Sequence, residues 1–303
     1  MKSALAINLE YFALRGCQLL LNAIPYRLAI AAAKGLGFAA VKIFGFKKAR
    51  TLSRIREVFP GKSAAEAERI AVKSLQNVLM SGVEMMRAPS LDRGWMDRHV
   101  VEGAHYKARL QELVDEGNGV VIMVPHSGNW YMAAWSMAKY GLKLFALAAR
   151  QRNPKLDAWM NRMYGDIEVL DRDCRDTLVK IKDKLKAGRA FAILPDLRVR
   201  KKDVAAAFLR GEANVSHAGA MFAVRAGAPI VVAAMTRENG KHVFNHLATL
   251  RPDAAAVDVK AESTRLTRAA LKILSDFILE HPENWFWYNK RWILEPVDRH
   301  GRF

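Results

Sequence analysis

The chain has 303 residues, 51% of them apolar and 26% charged, with a formal net charge of +18. This length and balance exclude long disorder and allow one large α/β domain or two small ones. The excess of cation points to an anionic partner: nucleic acid, an acidic protein or a membrane surface.

The first sixty residues carry ten basic side chains, including Arg15, Arg27, Lys34 and Lys42, against Glu10 and Glu57, and they are rich in Leu, Ile, Ala and Phe. Basic and apolar character together fit an anionic membrane surface better than nucleic acid. No zinc-finger spacing or nucleic-acid fingerprint is present, so no nucleic-acid partner is expected. There is no signal-peptide cleavage pattern, and charges interrupt every apolar run before the roughly 18 to 20 residues a spanning helix needs. Two cysteines, Cys17 and Cys174, are too few for a disulfide framework and fit a reduced, cytosol-facing protein.

Residues 3–24 and 26–46 read as two helices parted at Pro25. In the second, Arg27, Lys34 and Lys42 share one face, while Leu28, Ala31, Leu36, Ala39 and Ile43 fill much of the rest. Two readings stand: an interfacial anchor on anionic lipid, or an amphipathic helix packed on the protein's own core. Residues 50–88 read as helical with a break at Phe59-Pro60-Gly61. A capping box, Ser63 with Glu66, restarts the helix.

Beyond this, short aliphatic runs at 119–125, 142–149, 190–195 and 229–234 alternate with helical patterns at 105–116, 130–140, 154–164, 175–187 and 216–226. Near-continuous apolar strands alternating with helices predict an α/β fold, its mostly parallel central sheet covered by helices on both faces. The expected organisation is an N-terminal helical membrane-association segment over 1–48 and a single α/β domain over 49–303.

Ligands of open α/β sheets sit beyond the carboxyl ends of the strands. Two strands end on reactive groups there, 119–125 at His126 and 190–195 at Asp196, each preceded by a proline. If these strands are parallel and close, the carboxylate fixes the imidazole tautomer and the imidazole can deprotonate a hydroxyl. Ser127, Gly128, Asn129 and Trp130 follow the histidine. Glycine permits close backbone approach, and asparagine or the amides of 127–129 can meet an oxyanion. A structural histidine is the plain alternative.

Arg150, Arg152, Arg198, Arg200, Lys201 and Lys202 gather after the strand ends, as solvated loop charge or as a rim for phosphates or an acidic carrier protein. In HPENWFWYNKRW (281–292), alternation would put Trp285, Trp287 and Asn289 on one side and Phe286, Tyr288 and Lys290 on the other, with closure of the core the expected role for most of the aromatics. Arg291 could hold a phosphate or stack on a tryptophan. The histidines His105, His217, His242, His246 and His281 are scattered without zinc spacing, so neither metal nor cofactor is expected.

Five segments in order resemble the bacterial lipid A biosynthesis (lauroyl/myristoyl) acyltransferase family, which includes the phosphatidylinositol mannoside acyltransferases and belongs to the glycerolipid acyltransferase superfamily. They are RIREVFPGKSAAEAERIAVKSLQNV, VEGAHYKARLQELVDEGNGVVIMVPHSGNW, ALAARQRNPKLDAWMNRMYG, LKAGRAFAILPD with AFLRGEANVSHAGAMFAVRAGAPIVV, and HPENWFWYNKRW. The resemblance implies transfer of a fatty acyl chain from acyl carrier protein or coenzyme A to a hydroxyl of a membrane glycolipid or phospholipid. It also implies work at the cytoplasmic face of the bacterial inner membrane. His126 occupies the place of the family's general base in H-x4-D/E.

The chain departs from that pattern at the acidic position, which falls on Tyr131. A phenol is neutral at pH 7 and cannot replace a carboxylate. Asp196 is expected to supply the charge instead, with Glu212 as a lesser candidate. Leu197 stands where the family would have glutamine after the aspartate. Arg150, Arg198 and Arg291 are expected to contact phosphate or carrier. The rivals are a degenerate acyltransferase fold that binds lipid or carrier without chemistry, a basic nucleic-acid binder, and an acyltransferase with an amine acceptor.

Overall fold

The computed structural model describes residues 3–101 and 103–296. Helix α1 (Ala4–Ala23) is capped by Ser3, whose hydroxyl accepts the Ala6 amide, and α2 (Tyr26–Lys42) starts at Pro25, where a missing amide proton costs nothing. α2 ends earlier than residue 46 because Gly45 and Lys47, both at positive φ, turn the chain. α3 (Lys48–Val58) stops ahead of Pro60. α4 (Ala64–Met86) restarts under the expected capping box, with Ser63 and Glu66 each accepting the other's amide.

The chain continues through α5 (Arg93–His99), β1 (Val100–Val101), α6 (Gly103–Asp115) and β2 (Val120–Met123). Next come α7 (Trp130–Lys139), β3 (Leu144–Ala148), α8 (Pro154–Tyr164), β4 (Glu168–Asp171), α9 (Thr177–Lys186) and β5 (Ala190–Ile193). A hairpin of β6 (Val204–Phe208) and β7 (Gly211–Val215) precedes α10 (Ala218–Ala226), β8 (Ile230–Glu238), β9 (Lys241–Leu250) and α11 (Val259–Glu280). The central sheet runs β1-β9-β8-β2-β5-β3-β4, parallel throughout except for the antiparallel β8–β9 pair.

The α/β fold with its mostly parallel sheet is therefore as expected. The four aliphatic runs are strands with slightly different ends, but β1, β4, the β6–β7 hairpin, β9 and the long α11 were not foreseen. Nor is 285–292 an alternating strand. It makes one bridge, Ser127 to Trp285, then turns, and Trp285, Trp287 and Tyr288 are all buried. Burial of the large rings overrides the period-2 pattern there.

Side chains alternate across β2: Val121 and Met123 join a core layer with Phe191, Ile181 of α9 and Phe222 of α10, whereas Val120, Ile122 and Val124 join Met132 and Met137 of α7 in the opposite layer. The chain thus leaves β2 over one face, through α7, and leaves β5 toward the other. Adjacent parallel strands whose connections part in this way make a topological switch point, where a crevice opens at their carboxyl ends. Register fixes what meets in it. Met123 pairs with Ile193, and His126 and Asp196 each lie three residues further on.

α2 packs small residues, Ala29 and Ala33, against Met80 and Val83 of α4, and Gln18 of α1 is buried, donating to the Met86 carbonyl and accepting from the Trp159 indole. The other side of this helix pair is bare, with Leu5, Leu9, Phe12, Leu28, Leu36 and Phe38 all at least half exposed. The reading of α2 as a helix packed on the protein's own core thus describes its alanine face. Among the described residues, no helix is long and apolar enough to cross a membrane.

Candidate active site

The His126 side chain is 19% exposed and Asp196 is fully buried behind it. Imidazole Nδ1 lies 2.8 Å from Asp196 Oδ1, and the His126 backbone amide donates to Oδ2 at 2.7 Å. The Trp285 indole also donates to Oδ2, at 2.8 Å. Burial alone would raise the Asp196 carboxyl. The electrostatic interaction with His126 and the hydrogen bonds from His126 and Trp285 outweigh it and hold the group below the usual aspartate range. An anionic Asp196 requires the proton on Nδ1, which leaves the Nε2 lone pair free to accept one.

The turn after His126 depends on Gly128. Its φ is +56°, and a Cβ there would sit 2.2 Å from the Met235 carbonyl oxygen, so any side chain would drive the loop off β8. The Ser127 amide donates to the Pro125 carbonyl and the Gly128 amide to that of Asn284, so neither is available to an oxyanion as expected. The Ser127 hydroxyl is buried with no hydrogen-bond partner.

Asn129 also differs from expectation. It is buried, caps α7 by accepting the Met132 amide, and donates from Nδ2 to Glu84 Oε2 at 2.6 Å. Glu84 of α4 was not foreseen. Its fully buried carboxylate accepts from Tyr26 at 2.6 Å, from both Arg237 terminal nitrogens at 2.8 and 2.7 Å, and from His242 Nε2 at 3.1 Å. Burial would raise Glu84, but His242 and Arg237 more than offset this and hold it well below the carboxylate range. Burial keeps His242 below its ordinary range, as a neutral donor. One carboxylate therefore joins α2, α4, β8, β9 and the loop that carries His126.

His126 lines a cavity of about 690 Å³, walled by Trp130, Tyr131, Ala134, Met137, Leu144 and Ile193 among other mostly apolar side chains. Trp130 stands edge-on to His126 with ring centroids 5.0 Å apart. Tyr131 packs into the wall, its ring 5.7 Å from Trp135 and 6.3 Å from Tyr164, and burial raises its phenol. It is a neutral wall residue, and the carboxylate on His126 comes from Asp196.

The three arginines lie elsewhere. Arg150 is a largely exposed loop cation paired with Asp171 at 2.8 Å. Arg198 is buried and donates from Nε to the Glu295 carbonyl, fastening the C-terminal segment instead of facing a substrate. Arg291 sits partly exposed in the turn before Trp292 and does not line the cavity. Glu212, on β7 of the hairpin, is exposed and has no contact with His126. Among the described residues no group of three His, Cys, Asp or Glu side chains converges as a metal set.

A histidine and its buried acid thus stand together at a parallel switch point, on the wall of a mostly apolar cavity. The match to the bacterial lipid A biosynthesis acyltransferase family spans residues 3–293, and the chain belongs to that family. It is similar to a phosphatidylinositol mannoside acyltransferase of Mycolicibacterium smegmatis, 25% identical over 71% of this chain and 69% of the relative. It is also similar to one of Mycobacterium tuberculosis strain H37Rv, 21% identical over 81% and 76% of the two chains.

Proposed function

We propose that the protein is a membrane-associated O-acyltransferase that moves a fatty acyl chain from acyl carrier protein or coenzyme A to a hydroxyl of a membrane glycolipid or phospholipid. The observation that carries this reading is the His126–Asp196 pair at the mouth of the apolar cavity. His126 Nε2 takes the acceptor's hydroxyl proton as its oxygen attacks the thioester carbonyl. The tetrahedral intermediate then collapses, the carbon–sulfur bond breaks, and the imidazolium returns the proton to the leaving thiolate. Asp196 stays ionised and steadies the imidazolium. With the Ser127 and Gly128 amides engaged, the oxyanion falls to the positive amino end of α7 beside Trp130.

Membrane association rests on the bare apolar side of α1 and α2 together with the exposed Arg27 and Lys34 of α2, Lys42 being paired with Glu68. Adsorption of this side onto anionic lipid at the cytoplasmic face of the inner membrane would bring the cavity to its substrates without a spanning helix. The test is acyl transfer by purified protein in anionic vesicles holding a bacterial lipid extract, with each donor in turn and products read by mass spectrometry. Wild-type product, lost in His126→Ala and Asp196→Asn, is expected, and its mass names the acceptor. Vesicle binding with no turnover from either donor would turn the reading to lipid binding without chemistry.

A further inference from the structure

A second cavity of about 200 Å³ lies behind the first, walled by Leu91, Met96, Trp135, Ala138, Met163 and Tyr164. Tyr164, the last residue of α8, lines both cavities and is the one side chain common to their walls among the described residues. The second cavity lies at the end of the sheet remote from His126, since Lys139 closes α7 and Gly165 and Asp166 precede β4. The Lys139–Asp166 ion pair, at 2.9 Å, covers its outer side.

Part of the first cavity lies between α7, Tyr164 of α8 and the sheet, and is the acyl slot of the proposed reading. Leu144, Ala146 and Ala148, two residues apart on β3, line one side, and Ala134 and Met137 of α7 line another. Alanines leave this part open, and the bulkier Leu144, Met137 and Tyr164 narrow it, the Tyr164 ring standing 6.3 Å from that of Tyr131. Four residue steps along β3 span about 13 Å at ~3.3 Å each. An extended chain covers three bonds in about 3.8 Å, so this length matches roughly ten bonds of alkyl chain.

We propose that Tyr164 sets the length of the acyl chain the protein accepts, by acting as a partition between the acyl slot and the second cavity. This rests on the proposed reading of the first cavity as the acyl site. A saturated chain of about eleven carbons ends against the Tyr164 ring. Removing the ring joins the two cavities and adds room for about six methylenes, each similar in volume to a water molecule at ~30 Å³.

The experiment is calorimetric binding of saturated fatty acids of graded length, from C8 to C20, to wild type, Tyr164→Phe, Tyr164→Ala and Tyr164→Trp, alongside product masses from the transfer assay. Wild-type affinity should rise about fourfold per methylene to about eleven carbons and then level off. Tyr164→Phe should break at the same length, Tyr164→Ala should extend the rise by four carbons or more, and Tyr164→Trp should shorten it. Should Tyr164→Ala fail to fold, the shortening in Tyr164→Trp is the deciding result. An unchanged break in the Ala and Trp variants, or no break in wild type, overturns the partition. A shifted break in a protein that transfers nothing would uphold it and remove the catalytic reading instead.

Discussion

The indole N–H of Trp285 ends on Oδ2 of Asp196, the carboxylate oxygen that also accepts the His126 amide. Oδ1 is thereby left to the imidazole. The carboxylate cannot rotate without giving up two hydrogen bonds at once. It is buried, and hydrogen bonds to a charged group are each worth about 1.5–3 kcal/mol. The geometry of the His126 ring is therefore set from outside its own strand.

Asp196→Asn keeps the shape of the site and removes its charge. Turnover of the acyl donor should fall by about 10³- to 10⁴-fold with KM little changed, as measured by steady-state kinetics in vesicles. Retention of more than a tenth of wild-type turnover would show that His126 does not rely on this acid.

Trp285→Phe keeps the ring's bulk but deletes the donor to Asp196. A loss of about 1.5–3 kcal/mol in urea unfolding is expected, with kcat down roughly ten- to hundredfold. Full activity in a destabilised variant would reduce Trp285 to packing alone.

Tyr131→Asp restores the family's acidic residue. It should not raise activity, because Nδ1 of His126 is already held by Asp196 and the new carboxylate enters an apolar wall unpaired. A lower melting temperature with unchanged or reduced kcat is the expected pair of results. A gain in kcat would mean that the usual acidic position still acts on the histidine.

Glu84→Gln breaks a buried ionic hub and leaves Arg237 without its counter-charge. It should cost about 3 kcal/mol or more in urea unfolding. Because Asn129 then loses its charged acceptor, kcat should fall as well, although Glu84 does not line the cavity.

Acid should unfold the protein through the same two carboxylates. Asp196 and Glu84 both titrate lower in the folded state than the ordinary value of about 4, so the unfolded chain binds their protons more readily. Their contribution is complete above that value and drains away as pH falls through 4 into the depressed folded range. Urea midpoints measured from pH 7 to pH 3 should show this loss in wild type and a shallower slope in Glu84→Gln. Equal slopes would count against the hub.

The parallel strands and the His126–Asp196 pair were legible because a buried strand reads as an unbroken apolar run, and each of these runs stops at a proline followed by its reactive residue. β9 was hidden because KHVFNHLATL mixes His and Asn into its pattern. VAAAF of β6 is too rich in alanine to read as strand. The supports of the site were out of reach for a different reason. Glu84, Arg237 and His242 stand on three elements, and nothing local in SGVEMM or in β8 marks them as partners. Trp285 was visible as one of a cluster of aromatics, but its hydrogen bond depends on where the folded segment passes. The role expected of Arg198 failed because buried guanidinium groups go to whatever carbonyls the fold brings near, here Glu295.

The order of these parts along the chain is also an order in time. A polypeptide emerging from the ribosome presents the bare leucines and phenylalanines of α1 and α2 first, then His126, then Asp196, and only near its end the indole that locks the acid in place. The helix pair with the bare apolar side is therefore made long before the His126–Asp196–Trp285 arrangement can form. The acid's last hydrogen-bond donor is in place only once synthesis has passed residue 285.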